Sequence, residues 1–177
     1  MEEKHFVTTK EDLIKILAKN PNCFNSTVNG KLILSYEQLP NIYLKKFKKK
    51  TVYNLIVNSA AAEEYIKIGH WFNLIVFKNN TVFFLDGLNQ VKSQPFITTN
   101  IKKFAKNNNL AIYDFNVRYQ NQSSKKCGYL ACFFVYKSLS NSIPSFLKLK
   151  KMLKQNSIKT NEQYIFKSVK RYFKLNF

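Results

Sequence analysis

The stretch His70-Trp71-Phe72-Asn73-Leu74-Ile75-Val76-Phe77, then Lys78-Asn79-Asn80-Thr81, then Val82-Phe83-Phe84-Leu85-Asp86 decides the reading of this chain. Two apolar runs rich in aromatic and β-branched residues flank a short polar turn, which is the pattern of a β-hairpin. Trp71–Phe77 and Val82–Leu85 are the predicted strands. The hairpin returns the chain to its starting end, so Asp86 is expected beside His70. The flanking pattern repeats the theme. Tyr53–Asn58 reads as a buried strand, and 111–117 as another.

Helices are expected around this sheet. Thr8-x-x-Glu11 resembles a capping box ahead of Leu13, Ile14, Ile16 and Leu17 at helical spacing, with Pro21 and Asn22 ending the helix. Residues 23–50 read as irregular, with a turn at Asn29-Gly30 and a basic run from Lys45 to Lys50. A helix is predicted over 101–107 and a polar loop over 120–126. An apolar helix is predicted from Cys127 to about residue 138. Two amphipathic helices, 145–155 and 161–174, close the chain, the last capped by Thr160-x-x-Gln163. Strands in the middle with helices at both ends give an α+β domain spanning residues 1–177. Glycine and proline number only 4 each, so nothing reads as a linker.

Lys and Arg total 29 against 10 Asp and Glu, a formal charge of +19, and such a surface attracts polyanions. An AT-rich genome would also enrich Lys, Asn, Ile and Phe, but Asp and Glu have not kept pace with Lys. On the last helix Lys167, Lys170, Arg171 and Lys174 recur at i, i+3, i+4 and i+7, opposite Ile165, Val169, Tyr172 and Phe173. Lys148, Lys151 and Lys154 give the preceding helix a similar edge. These seven residues are the candidate non-specific DNA contacts. No run of about 18 apolar residues is present to cross a membrane. Met1-Glu2-Glu3-Lys4-His5 is too acidic for a signal peptide. Three scattered cysteines do not make a disulfide framework, which points to a reducing intracellular setting.

Only two histidines occur, His5 and His70, and a thiol or hydroxyl nucleophile needs such a base. His5 lies in a polar tail, whereas His70 follows Gly69 at a strand edge. Asp86 is placed to accept the Nδ1–H of His70 and fix its tautomer, although Asp86-Gly87 also reads as an ordinary turn. Cys127 opens a helix, so a thiolate there sits at the positive end of the helix dipole, with Lys125 and Lys126 beside it. Gly128 leaves room for a substrate backbone. Cys23 and Cys132 read as small core residues. Gln120 and Gln122 are both candidates to hold an oxyanion together with the Cys127 backbone N–H.

At these residues the chain resembles the adenovirus endopeptidase (adenain) family of papain-like cysteine proteases and, more distantly, the SUMO-deconjugating proteases. The shared elements are His70-Trp71, the acid Asp86, and Gln120-Asn-Gln-Ser-Ser-Lys-Lys-Cys127-Gly128. Leu55-Ile-Val-Asn58-Ser59-Ala60 and Cys127-Gly-Tyr-Leu-Ala-Cys132 extend the likeness across roughly residues 50–140. The adenovirus spacing of seven from Gln to Cys selects Gln120, whereas the SUMO-protease spacing of six falls on Asn121. Two departures stand out. Asp86 replaces the family's Glu, and no cysteine lies between Asp86 and Gln120 to tether a peptide activator.

The resemblance implies a cysteine endopeptidase that cleaves viral capsid or core precursors beside small residues such as Gly. It implies catalytic His70, Asp86, Gln120 and Cys127, no metal and no cofactor for the chemistry. DNA would be an activator and a non-specific partner. The protein would act as a monomer in the infected cell and in the virion, without a membrane partner. The alternatives are a deconjugating protease for ubiquitin-like proteins, or a basic nucleic-acid-binding protein on a protease scaffold.

Overall fold

The computed structural model describes residues 9–61, 69–140 and 142–176. The capping residue proposed as Thr8, and His5, lie outside the described residues. The chain opens with α1 (Lys10–Leu17) and α2 (Pro21–Ser26), then strand β1 (Ile33–Ser35). Two 3₁₀ turns, Tyr36–Asn41 and Leu44–Lys46, lead to β2 (Val52–Asn58), β3 (Trp71–Phe77) and β4 (Thr81–Leu85). A 3₁₀ turn at Val91–Ser93 precedes α3 (Pro95–Asn107) and β5 (Ala111–Asp114). Three helices complete the chain: α4 (Cys127–Ser140), α5 (Ile143–Gln155) and α6 (Ile158–Tyr172).

The five strands form one sheet in the order β1-β2-β3-β4-β5. The central pairs β2–β3 and β3–β4 are antiparallel, and the outer strands β1 and β5 join in parallel. The sheet is therefore mixed, antiparallel at its centre about β3 and parallel at both edges. The hairpin closes through residues 78–80 with Phe77 paired to Thr81. Asn80 takes the left-handed conformation (φ 60°) that a three-residue hairpin requires, and Asn79 Oδ1 accepts the Thr81 N–H at 3.2 Å.

Every residue of β3 is buried, because both faces of the sheet are covered. Trp71, Ile75 and Phe77 pack with α1, α2, α4, α5 and α6, whereas Phe72, Leu74 and Val76 pack with α3 and the first two 3₁₀ turns. Helix α4 is buried around its circumference, with Phe133 and Phe134 both fully enclosed. Such a helix belongs to the centre of a core and not to its edge.

Local punctuation departs from the sequence reading in instructive ways. The capping box is Thr9 with Asp12: the Thr9 N–H donates to Asp12 Oδ2 at 3.0 Å and the Asp12 N–H to Thr9 Oγ1 at 3.2 Å. Pro21 does not simply end α1. It starts α2 at a position where no backbone donor is needed, under an Asn20 cap. Ser157, not Thr160, caps α6. Helix α3 begins at Pro95, six residues before the expected start, and β5 stops at Asp114.

The basic stripe is shorter than its spacing suggests. Lys167, Lys170 and Arg171 lie on α6, but Lys174 falls past the helix end in the left-handed region (φ 50°). Lys170 is half-buried with its ammonium over the Phe166 ring. Lys148, Lys151 and Lys154 are exposed along α5.

Candidate active site

His70 is fixed by the end of the β2–β3 ladder. The Ser59 N–H donates to the His70 carbonyl at 2.9 Å, and the His70 N–H donates to Ser59 Oγ at 2.9 Å. Gly69, with φ 120°, is obligatory here: a Cβ would lie 2.0 Å from Asn58 Oδ1. That oxygen is already occupied by the Ala60 N–H at 2.9 Å. The Asn58-Ser59-Ala60 stretch thus serves to hold the histidine.

Asp86 follows β4 directly. Extending the ladder one step beyond Asn73↔Leu85 sets it across from Phe72, diagonal to His70. The His70 Nε2–H donates to Asp86 Oδ1 at 2.5 Å. This corrects the expected pairing through Nδ1. With Nε2 engaged by the carboxylate, Nδ1 is the nitrogen left for the thiol, and the Cys127 side chain is near enough to the ring to help raise its pKa.

The carboxylate is buried but well served. Its Oδ2 accepts the N–H groups of Gln90 at 2.7 Å and Val91 at 2.8 Å, and its Oδ1 that of Leu88 at 3.1 Å. Burial alone would raise the Asp86 carboxyl. The hydrogen bond and charge of His70, with the Val91 and Gln90 amides, outweigh it and hold the group below the usual carboxylate range. Burial likewise opposes the charge on His70, yet Asp86 and Cys127 together raise the ring to about 9. The imidazolium is therefore the resting form at neutral pH.

Cys127 is the first residue of α4 and is only partly buried. Its backbone N–H belongs to the first turn, where no intrahelical acceptor exists. The other two thiols differ. Cys23 is fully buried and pushed up to about 12, and Cys132 is raised further by burial. A thiol so protonated is a poor nucleophile. Of the two lysines expected to support Cys127, Lys126 instead turns to α6. Its ammonium lies 3.8 Å from Glu162 and over the Phe166 ring.

The two glutamines separate cleanly: Gln120 is buried and Gln122 is exposed. Gln120 Nε2 donates to the Ser124 carbonyl at 2.9 Å, and its Oε1 is enclosed with no donor. Turning the amide over would set Oε1 against the Ser124 carbonyl, so the observed orientation is the favourable one. It leaves the second Nε2–H uncommitted. Ser124 Oγ in turn accepts the Lys126 N–H at 3.2 Å, linking the glutamine to the turn that enters α4.

Sequence reasoning passed over two parts of this site. Gly87 was read as a turn residue, but a Cβ there would meet Gln120 Oε1 and Tyr119 Cε2 at 2.9 Å each. Its carbonyl accepts both the Tyr119 and the Gln120 N–H at 3.0 Å. Tyr119 is the other. Burial first, and then the nearby charge of Asp86, keep its hydroxyl well above the usual range. The adjacency of Gly87 to Asp86 was the one available signal.

The arrangement is an imidazole hydrogen-bonded to a carboxylate, with a thiol beside the ring and a buried amide alongside. Among the described residues no cluster could hold a metal ion. No family model matches the chain, and no curated protein matches it. Two solved structures are similar to it in fold. One is the Chlamydia trachomatis effector protein Cdu1 bound to ubiquitin: 12% identical, covering 93% of this chain and 79% of that one, with a TM-score of 0.46. The other is ChlaDub1 from Chlamydia trachomatis: 12% identical, covering 93% and 78%, with a TM-score of 0.42.

Proposed function

We propose that this protein is a cysteine protease with Cys127 as nucleophile. One observation carries the reading: the His70 ring is hydrogen-bonded to Asp86 at 2.5 Å and lies beside Cys127 at the start of α4, close enough for the thiol to help raise its pKa. The Cys127 thiolate attacks a peptide carbonyl carbon, forming the C–S bond. The developing oxyanion takes hydrogen bonds from the Cys127 N–H and the free Nε2–H of Gln120. His70 imidazolium gives its Nδ1 proton to the leaving amine, and the C–N bond breaks. Water then attacks the thioester, His70 takes a proton from it, and the thiolate departs. Asp86 keeps the ring oriented and charged throughout.

The substrate is a protein, and two kinds are in view. A ubiquitin-like C-terminal tail is the first to test, since the similar Cdu1 is bound to ubiquitin. A capsid or core precursor cleaved beside glycine, in a virus-infected cell, is the second and follows from the adenovirus resemblance. Purified protein should be offered a ubiquitin-like C-terminal amide and a capsid-precursor peptide in parallel, and separately a peptide vinyl sulfone. Mass spectrometry should find the vinyl sulfone on Cys127 alone, and not in the His70→Ala protein. Labelling on Cys23 or Cys132, or none at all, would overturn the assignment.

A further inference from the structure

At the end of the sheet opposite His70, a cavity of about 780 Å³ opens where β2 begins and β3 ends. Lys48, Lys49, Lys50 and Lys78 line it, and no carboxylate does. A neighbouring cavity of about 380 Å³ shares Lys49, Lys50 and Lys78 and adds Lys45. Among the described residues the lysine ion pairs are Lys92–Asp114 and Lys126–Glu162, so no carboxylate neutralises these five. Lys50 is steadied by donating to Asn25 Oδ1 at 2.7 Å.

Two hydroxyls in the cavity wall are fixed from within the protein: Ser26 Oγ donates to the Cys23 carbonyl at 2.7 Å and Ser138 Oγ to the Val135 carbonyl at 2.8 Å. Ser26 and Ser138 line the cavity and are both nearly fully buried. Beneath them Asn54, wholly buried in β2, donates to Ser26 Oγ at 3.0 Å and Ser138 Oγ at 2.9 Å. An apolar residue would be the expected occupant of Asn54 in a strand covered on both faces. Ser142 and Ile143 add the N-terminal end of α5, the positive end of its dipole. Like charges gathered on one concave wall repel until an anion enters. The volume is that of a small-ligand pocket.

We propose that this cavity binds a compact, multiply phosphorylated anion, with Lys49, Lys50 and Lys78 as its principal contacts. Several lysines around one concavity suit a ligand whose charges are clustered, because each ammonium acts as a point charge on a different phosphate. None of the residues placed in the active site lines this cavity, so the inference stands apart from the protease reading.

Isothermal titration of the whole chain with inorganic tripolyphosphate, at about 150 mM salt, tests it. One equivalent should bind, with equal affinity in the Cys127→Ala protein. Parallel titrations with a nucleoside triphosphate and with inositol hexakisphosphate distinguish the sources of the polyphosphate. The triple change Lys49→Glu, Lys50→Glu and Lys78→Glu should weaken binding by about 10³-fold, the loss of several charge-assisted contacts. Lys167→Glu, Lys170→Glu and Arg171→Glu carry the same charge change away from the cavity and should alter affinity by less than about threefold. Should the first triple variant not fold, the single Lys78→Gln protein, expected to bind about tenfold more weakly, takes its place. Absence of binding, several weak equivalents, or equal losses in the two triple variants would overturn the proposal. So would a DNA duplex that binds the cavity lysines when tripolyphosphate does not displace it.

Discussion

Asp86→Asn changes one atom and should separate the charge of this side chain from its shape. The Asn Oδ1 can still accept from Gln90 and Val91, as Asp86 Oδ2 does now at 2.7 and 2.8 Å. The Nδ2 group then faces His70 Nε2 and donates to it. That fixes the ring as the neutral tautomer with its proton on Nδ1, toward the thiol, so it can neither take the thiol proton nor carry charge. In the native protein the ring rises from 6.5 to about 9 although burial opposes the charge. That rise corresponds to ~3 kcal/mol favouring imidazolium in the folded site. Two of the four contributions that raise the ring vanish with the carboxylate while burial still opposes its charge, so the ring should be neutral at pH 7. Peptide hydrolysis should fall by about 10³–10⁴, as when such a carboxylate is neutralised in other triads.

The stability signature has a definite sign. The folded value of His70 is raised, so the native protein's advantage over Asp86→Asn is fully present below 6.5 and is lost as pH rises through about 9. Asp86 and His70 share one interaction, and the lowered Asp86 value is the same free energy seen from the other partner. Urea unfolding of both proteins at several pH values between 5 and 9.5 measures the difference. An Asp86→Asn protein that keeps more than about a tenth of the native rate at pH 7, or a stability difference that does not shrink with pH, would refute the reasoning.

Other outcomes follow from the same geometry. Cys127→Ala should abolish hydrolysis while leaving urea stability within about 1 kcal/mol, because the side chain is small and partly exposed; His70→Ala should be as damaging and His5→Ala silent, as steady-state rates would report. Gln120→Ala should lower kcat by about 10²–10³ and Gln122→Ala by much less, since only Gln120 is buried beside the turn into α4. The alkaline limb of kcat/KM should fall near 9, where the imidazolium is lost; a limb near 6.5 would contradict the raised ring. Changing Lys167, Lys170, Arg171 and Lys174 to Glu should weaken duplex DNA binding, followed by fluorescence anisotropy over a salt series, and spare cleavage of a small peptide.

Residue order and periodicity alone determined the hairpin, the apolar helix behind Cys127, and the α+β layering. Those follow from short-range rules: a period of two, a period of 3.6, and a polar turn between apolar runs. The proximity of His70 and Asp86 was also legible, because a tight hairpin has one closing geometry. Three things were decided only by tertiary packing. The ring nitrogen that meets Asp86 depends on where α4 delivers Cys127, and no local pattern fixes that. The seven-residue spacing already pointed to Gln120 over Gln122, but the burial of Gln120 against Gly87, a contact made across more than thirty residues of sequence, is a product of the fold. The cavity of Lys48–Lys50 and Lys78 arises because the β3–β4 turn folds back against the loop before β2, bringing charges from two segments to one wall. Sequence spacing records which residues follow one another; electrostatics depends on which ones the sheet brings within a few ångströms.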